Sequence, residues 1–251
     1  MYSEMRPGVF WIHPPDGGEV YVVRTSDGLV LVDSGFPQHR ELVLDGMRQA
    51  GLRPQEIRLA FCSHLHCDHV GAMGWWRERY GFPVVAHERA AGLIERGDLL
   101  ATGSEFPLCD LHLAFIPCPI DHRVRGGEKF TVGDRQFEVI HAPGHAVGAI
   151  HVLSGDLLFV GDNLNAQGGI GWMDVHWGSN PEDYVETLDR LRAHCGRLAL
   201  PGHGEPFVLD GERIECGRRI AAFYIPPSHG LGVPRVPSQY GPGGAGAAGG
   251  Q

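Results

Sequence analysis

Basic residues are scarce in this chain: 21 Lys and Arg stand against 30 Asp and Glu, for a formal charge of −9. A surface with that balance is not built to hold phosphate backbones, so nucleic acid is not expected as a partner. No stretch reaches the roughly 20 apolar positions of a membrane span, and no membrane partner is expected either. The N-terminus, Met1-Tyr2-Ser3-Glu4-Met5-Arg6-Pro7-Gly8, lacks the basic start and apolar run of a secretory leader. The six cysteines, Cys62, Cys67, Cys109, Cys118, Cys195 and Cys216, contain no C-x-x-C pair. That argues against a closed four-cysteine structural zinc. These absences leave the expectation of a cytoplasmic protein with reduced thiols.

At 251 residues the natural reading is one larger domain with a real core, spanning 1–225. Behind it, 226–251 is rich in proline and glycine and is expected to be flexible. Apolar alternation and turn residues predict strands over 20–24 and 29–33, joined as a hairpin by Ser26-Asp27-Gly28. A buried strand follows over 57–62, and others over 83–86, 129–132, 136–141, 149–153, 157–160 and 198–200. Helical spacing predicts helices over 38–50, 72–80 and 87–96, with another starting at Ser179-Asn180-Pro181-Glu182-Asp183 and a last one over 210–224. Residues 97–126 resist assignment and read as an insertion that lines or covers a site.

Histidine is what the chain concentrates. Phe61-Cys62-Ser63-His64-Leu65-His66-Cys67-Asp68-His69-Val70-Gly71 packs three histidines and an aspartate into six positions. Spacings of i, i+2, i+4 and i+5 do not share a helical face. An extended strand end running into a loop, with a helix beginning at Gly71, would gather them. Imidazole and carboxylate together suit zinc, iron or manganese. Three later strand ends repeat the pattern of apolar strand, glycine and potential ligand: Pro143-Gly144-His145, Gly161-Asp162 and Pro201-Gly202-His203-Gly204. On a common rim, His64, His66, Asp68, His69, His145, Asp162 and His203 are too many for one tetrahedral ion and suit two, typically ~3.5–4 Å apart.

Together with Val32-Asp33-Ser34-Gly35, these motifs resemble the metallo-β-lactamase superfamily, in the branch with a complete H-x-H-x-D-H signature. The likeness extends over residues 19 to 210. It implies an α/β fold, a four-layer αβ/βα sandwich. It assigns one ion to His64, His66 and His145, a second to Asp68, His69 and His203, and Asp162 as the bridge. Asp33 would hydrogen-bond the cluster loop rather than touch metal.

The chemistry implied is hydrolysis, in which two ions, zinc before iron or manganese, activate a shared water as hydroxide. That hydroxide would attack the carbonyl of a small-molecule ester, lactone or thioester, with Asp68 and Asp162 as catalytic groups and Asp68 as the proton carrier. Asp162 disfavours β-lactam hydrolysis, and Asn163-Leu164-Asn165-Ala166-Gln167-Gly168-Gly169 does not reproduce the basic, cysteine-bearing stretch of the glutathione thioesterases. β-Lactamase or phosphodiesterase and nuclease activity on the same site are the alternatives within the class. A mononuclear iron oxygenase of the persulfide dioxygenase type, using His64, His66 and His145 alone, is the alternative outside it. Trp172 and Trp177 are expected at the pocket wall, His141 behind the ligands, and His176 at the pocket or surface.

Overall fold

The computed structural model describes residues 2–104 and 115–226. Strands β1 (Tyr2–Arg6), β2 (Val9–Ile12), β3 (Val20–Thr25) and β4 (Gly28–Val32) form an antiparallel meander. β5 (Ile57–Phe61), β6 (Val84–His87) and β7 (His122–Val124) extend it in parallel, completing a seven-stranded sheet. A second, six-stranded sheet holds β8 (Lys129–Val132), β9 (Arg135–His141), β10 (Ile150–Ser154) and β11 (Leu157–Gly161) as antiparallel neighbours. β12 (Leu198–Pro201) then runs parallel to β11, and β13 (Phe207–Val208) antiparallel to β12.

Parallel neighbours require crossovers, and helices supply them. α1 (Arg40–Gln49) links β4 to β5, α2 (Cys67–Val70) and α3 (Met73–Tyr80) link β5 to β6, and α5 (Pro181–Leu191) links β11 to β12. α4 (Glu88–Arg96) follows β6, and α6 (Gly211–Phe223) follows β13. The start of α5 is as its sequence predicts: Pro181 sits in the first turn and the Asn180 side chain accepts the Glu182 and Asp183 amides.

Alternation along the strands builds three apolar layers. Val23, Val30 and Phe61 face Phe137, Val152 and Phe159 across the gap between the sheets. Their neighbours Val22, Leu31 and Ala60 pack instead with Met47, Trp76 and Ile94 of α1, α3 and α4. On the far side Leu158, Val160 and Ala199 meet Tyr184 and Leu188 of α5 and Ile214 of α6. The order is helices, sheet, sheet, helices, the expected four-layer α/β sandwich.

Four strands are absent from the sequence reading: β1, β2, β7 and β13. They are short, from two to five residues, and β1 is mostly exposed, so alternation has too little length to register. Within the segment 97–126, Phe115 and Cys118 are buried and 122–124 is strand. Residues 105–114, with Cys109, lie outside the described residues, and so does the expected flexible tail beyond Pro226. None of the five described cysteines is in a disulfide. Among the described residues no helix is long and apolar enough to cross a membrane.

Candidate metal centre

The ends of β4, β5, β9, β11 and β12 open onto one rim, and seven side chains meet there. His64, His66 and His145 bring ligand atoms within 4.8 Å of one another, and so do Asp68, His69 and His203. Asp162 stands between the two sets: its carboxylate lies 3.4 Å from Nε2 of His145, 3.3 Å from Nε2 of His69 and 3.4 Å from Nε2 of His203. Gly202 lets the β12 end come this close, because a Cβ there would fall 2.1 Å from Oδ1 of Asp162.

One expectation about the motif is corrected. The expected helix after Gly71 is present as α3, but a separate four-residue helix, α2, already begins at Cys67, inside the cluster expected to be loop. His66 stays extended (φ −67°, ψ 146°), and its carbonyl accepts the His69 and Val70 amides, each at 3.0 Å. The backbone therefore changes from extended to helical between His66 and Cys67. That change sends His64 and His66 to one set and Asp68 and His69 to the other.

Hydrogen bonds at the backs of the rings fix which nitrogen faces inward. Nδ1 of His69 donates to Oδ2 of Asp33 at 3.2 Å, and Nδ1 of His145 donates to the Trp172 carbonyl at 2.7 Å. The Ser63 hydroxyl donates to Asp33 Oδ2 at 2.6 Å, so its oxygen is left to accept Nδ1–H of His64 at 3.0 Å. Each of these three rings consequently turns Nε2 toward the centre. Asp33 is the hub: its Oδ1 also accepts the Ser63 amide at 2.8 Å, and it adopts φ 61°, the one positive φ outside glycine among the described residues.

Ring nitrogens crowd together at the centre. Nε2 of His64 is buried without a hydrogen-bond partner. Nδ1 of His66 lies 3.0 Å from Nε2 of His145, and Nε2 of His69 lies 3.2 Å from Nε2 of His203. Imidazole and carboxylate donors at these separations fit divalent metal. Protonation states follow the same division. Burial lowers His64 and His145 and takes His66 down to about 3, with neighbouring histidines adding to the effect on His64 and His66. Asp162 raises His203 to about 10. Burial would lower His69, but Asp68, Asp162 and Asp33 together raise it well above its ordinary value. Burial likewise opposes ionisation of Asp68 and Asp162, yet His69 and His203 hold both well below the carboxylate range.

Residues 13–203 match the family described as the metallo-beta-lactamase superfamily. The chain belongs to that superfamily. Over 203 residues it is 30% identical to the probable metallo-hydrolase YqgX of Bacillus subtilis, covering 77% of this chain and 90% of that protein. It is 30% identical over 263 residues to the acyl-coenzyme A thioesterase MBLAC2 of Homo sapiens, covering 89% and 86% respectively. Among solved structures, BJP-1, a subclass B3 metallo-beta-lactamase of Bradyrhizobium japonicum, superposes with a TM-score of 0.72 at 23% identity. It covers 88% of this chain and 90% of its own, a likeness of fold. Metal-dependent hydrolase is the enzyme class this superfamily membership carries.

Around this superfamily centre the remaining expected residues are placed unevenly. The Trp177 ring packs on His66 with centroids 4.5 Å apart and against Gly103, and the described part of 97–126 reaches the cluster through the Thr102 carbonyl, which accepts the Cys67 amide at 2.8 Å. Trp172 serves the centre through its backbone carbonyl, while its indole is 73% exposed. His176 is exposed and pairs with Asp174 at 2.7 Å. His141 departs from its expected place behind the ligands. It stacks on His87 at 4.2 Å and 18°, because as the last residue of β9 it shares strand parity with Phe137 and Val139 rather than a turn with His145.

Three contributors escape the sequence. Ser63 carries the link between Asp33 and His64. The Tyr184 hydroxyl donates to the Asp162 carbonyl at 2.9 Å and accepts the Gly171 amide at 3.1 Å. Glu19, only 9% exposed, lies against the His203 loop. A lone acid at the head of an apolar strand was its available signal.

Proposed function

We propose that this chain hydrolyses the acyl bond of a small-molecule thioester or ester, lactones included, at a dinuclear centre. His64, His66 and His145 would hold one ion, Asp68, His69 and His203 the other, and Asp162 would bridge them. The observation that carries this reading is the pair of donor triads sharing one buried carboxylate. Nitrogen and oxygen donors without thiolate suit zinc, with iron or manganese as substitutes. When bound, two such ions supply hydroxide at neutral pH and polarise the scissile carbonyl.

The protein's own part is division of labour between two carboxylates. Asp162 has a side chain 7% exposed and Asp68 one 20% exposed, so Asp68 is the group with access to solvent and the one assigned to carry the proton away. Asp33 and Ser63 hold the tautomers of His69 and His64, and Trp172 and Tyr184 fix the His145 and Asp162 loops. Trp177 gives the mouth an aromatic wall beside His66, suited to an apolar acyl group. A thiolate, whose parent thiol titrates near ~8.5, leaves without obligatory protonation. The resemblance to MBLAC2, a protein named as an acyl-coenzyme A thioesterase, supports the thioester within this class.

The test joins metal analysis to a substrate panel. Zinc-loaded protein should carry about two ions per chain and turn over acyl-CoA thioesters and aryl esters, with activity lost to EDTA and restored by zinc. One iron per chain with oxygen uptake would sink the hydrolase reading in favour of an oxygenase on His64, His66 and His145. Turnover confined to a phosphodiester or a β-lactam would overturn the acyl substrate class.

A further inference from the structure

We propose that Glu19, seated on the indole of Trp11, is a positioning residue for His203 and through it for the second ion. The inference rests on the dinuclear reading above. A buried carboxylate is costly unless its oxygens are satisfied, and those of Glu19 are. Oε2 accepts Nε1–H of Trp11 at 2.7 Å, and Oε1 accepts the Gly204 amide at 3.3 Å. Its own amide donates to the Gly202 carbonyl at 2.7 Å. Glu19 therefore touches the chain on both sides of His203.

Two neighbours extend the clamp. The Tyr21 hydroxyl, buried, donates to the Pro201 carbonyl at 2.7 Å. Gly18 donates its amide to the Asp68 carbonyl at 3.1 Å and lies so near the His69 ring that a Cβ there would approach it to 2.6 Å. The short segment from Gly18 to Tyr21 thus meets Asp68, His69 and the His203 loop. It belongs to the first sheet, whereas His203 hangs from β12 of the second.

His203 needs such help. Its side chain is 46% exposed, against 1% for His64 and 2% for His145, and glycines flank it. A ring with little packing around it keeps its direction only if the loop is held, and positioning partners of metal ligands are typically worth about 10–100-fold in metal affinity. Glu19 and Trp11 supply that hold to one triad alone.

Cobalt(II) and zinc titrations against a chelator, followed by the cobalt absorption spectrum, test the assignment. Wild-type protein should take two ions in separable steps. Glu19→Ala and Trp11→Phe should keep the first step unchanged and weaken the second about 10–100-fold, with the bands of the second cobalt ion lost or shifted. Glu19→Gln, which keeps one carbonyl acceptor, should recover part of the loss. Melting temperature reports folding in every variant, and Glu19→Gln keeps the test open if Glu19→Ala fails to fold. Two wild-type affinities in Glu19→Ala or Glu19→Gln would overturn the role of Glu19 and leave the dinuclear centre standing. Equal weakening of both steps would overturn it as well, in favour of general scaffolding. A single ion in the wild-type protein would bring down the dinuclear reading, and this inference with it.

Discussion

The two donor triads are built from the same residue type and differ in almost everything else. His64, His66 and His145 are all buried, hold no acid, and are kept neutral by burial. Asp68, His69 and His203 include a carboxylate and a half-exposed ring, and their histidines hold protons tightly. The first is a preformed neutral pocket. The second is a charged set in which protons occupy the positions a cation would take, and it leans on other segments for its shape.

The largest effect should come from breaking the preformed triad. His64→Ala removes a buried ring whose Nε2 has no other use, and should cost turnover by about 10³-fold or more, the several kcal/mol expected of a lost metal. His203→Ala should cost only about 10–100-fold, since its ring is the exposed one. Steady-state rates at fixed zinc measure both, and equal losses would erase the distinction between the triads.

Acidity should separate the triads next. His203, raised to about 10, and His69, raised well above its ordinary value, must release protons before a cation can bind. Affinity for the second ion should therefore climb with pH by up to about a hundredfold per unit, about tenfold for each proton released, until about pH 10. The first triad, with His66 at about 3 and its partners lowered, should bind almost independently of pH from about neutrality upward. Chelator competition across pH resolves the two slopes, and parallel slopes would contradict the protonation contrast.

The smallest effect sharpens the comparison from outside. Trp172→Ala removes an exposed indole but leaves the carbonyl that orients His145. Metal content should stay as in the wild type while KM for long acyl substrates rises about fivefold, ~1 kcal/mol of apolar contact. Loss of metal in this variant would mean that the side chain, and not the backbone, supports the first triad.

Much of this centre is legible in the residues. Each of the seven candidate ligands follows an apolar strand, and strand ends in an α/β sandwich open onto one rim, so order along the chain translates into proximity. Asp33 is legible for the same reason, at the end of β4. What is hidden depends on where side chains point. His141 sits four residues before His145, but a strand ends between them and carries its ring to His87. Glu19 meets Gly204 across 185 positions, and no local pattern announces such a contact. The helical turn inside the motif is equally silent, because four residues are too few to show a period.

Each triad draws its donor side chains from both sheets: His64 and His66 from the first with His145 from the second, Asp68 and His69 from the first with His203 from the second. The centre therefore works as a gauge of how the two halves of the sandwich are aligned. A slip of one sheet by a single residue, ~3.3 Å, would leave most apolar surface covered, yet it equals the whole distance between facing donors of the two sheets, 3.0 to 3.3 Å. Catalytic competence should accordingly fail well before the core does, which makes bound metal a finer report of native alignment than any measure of compactness.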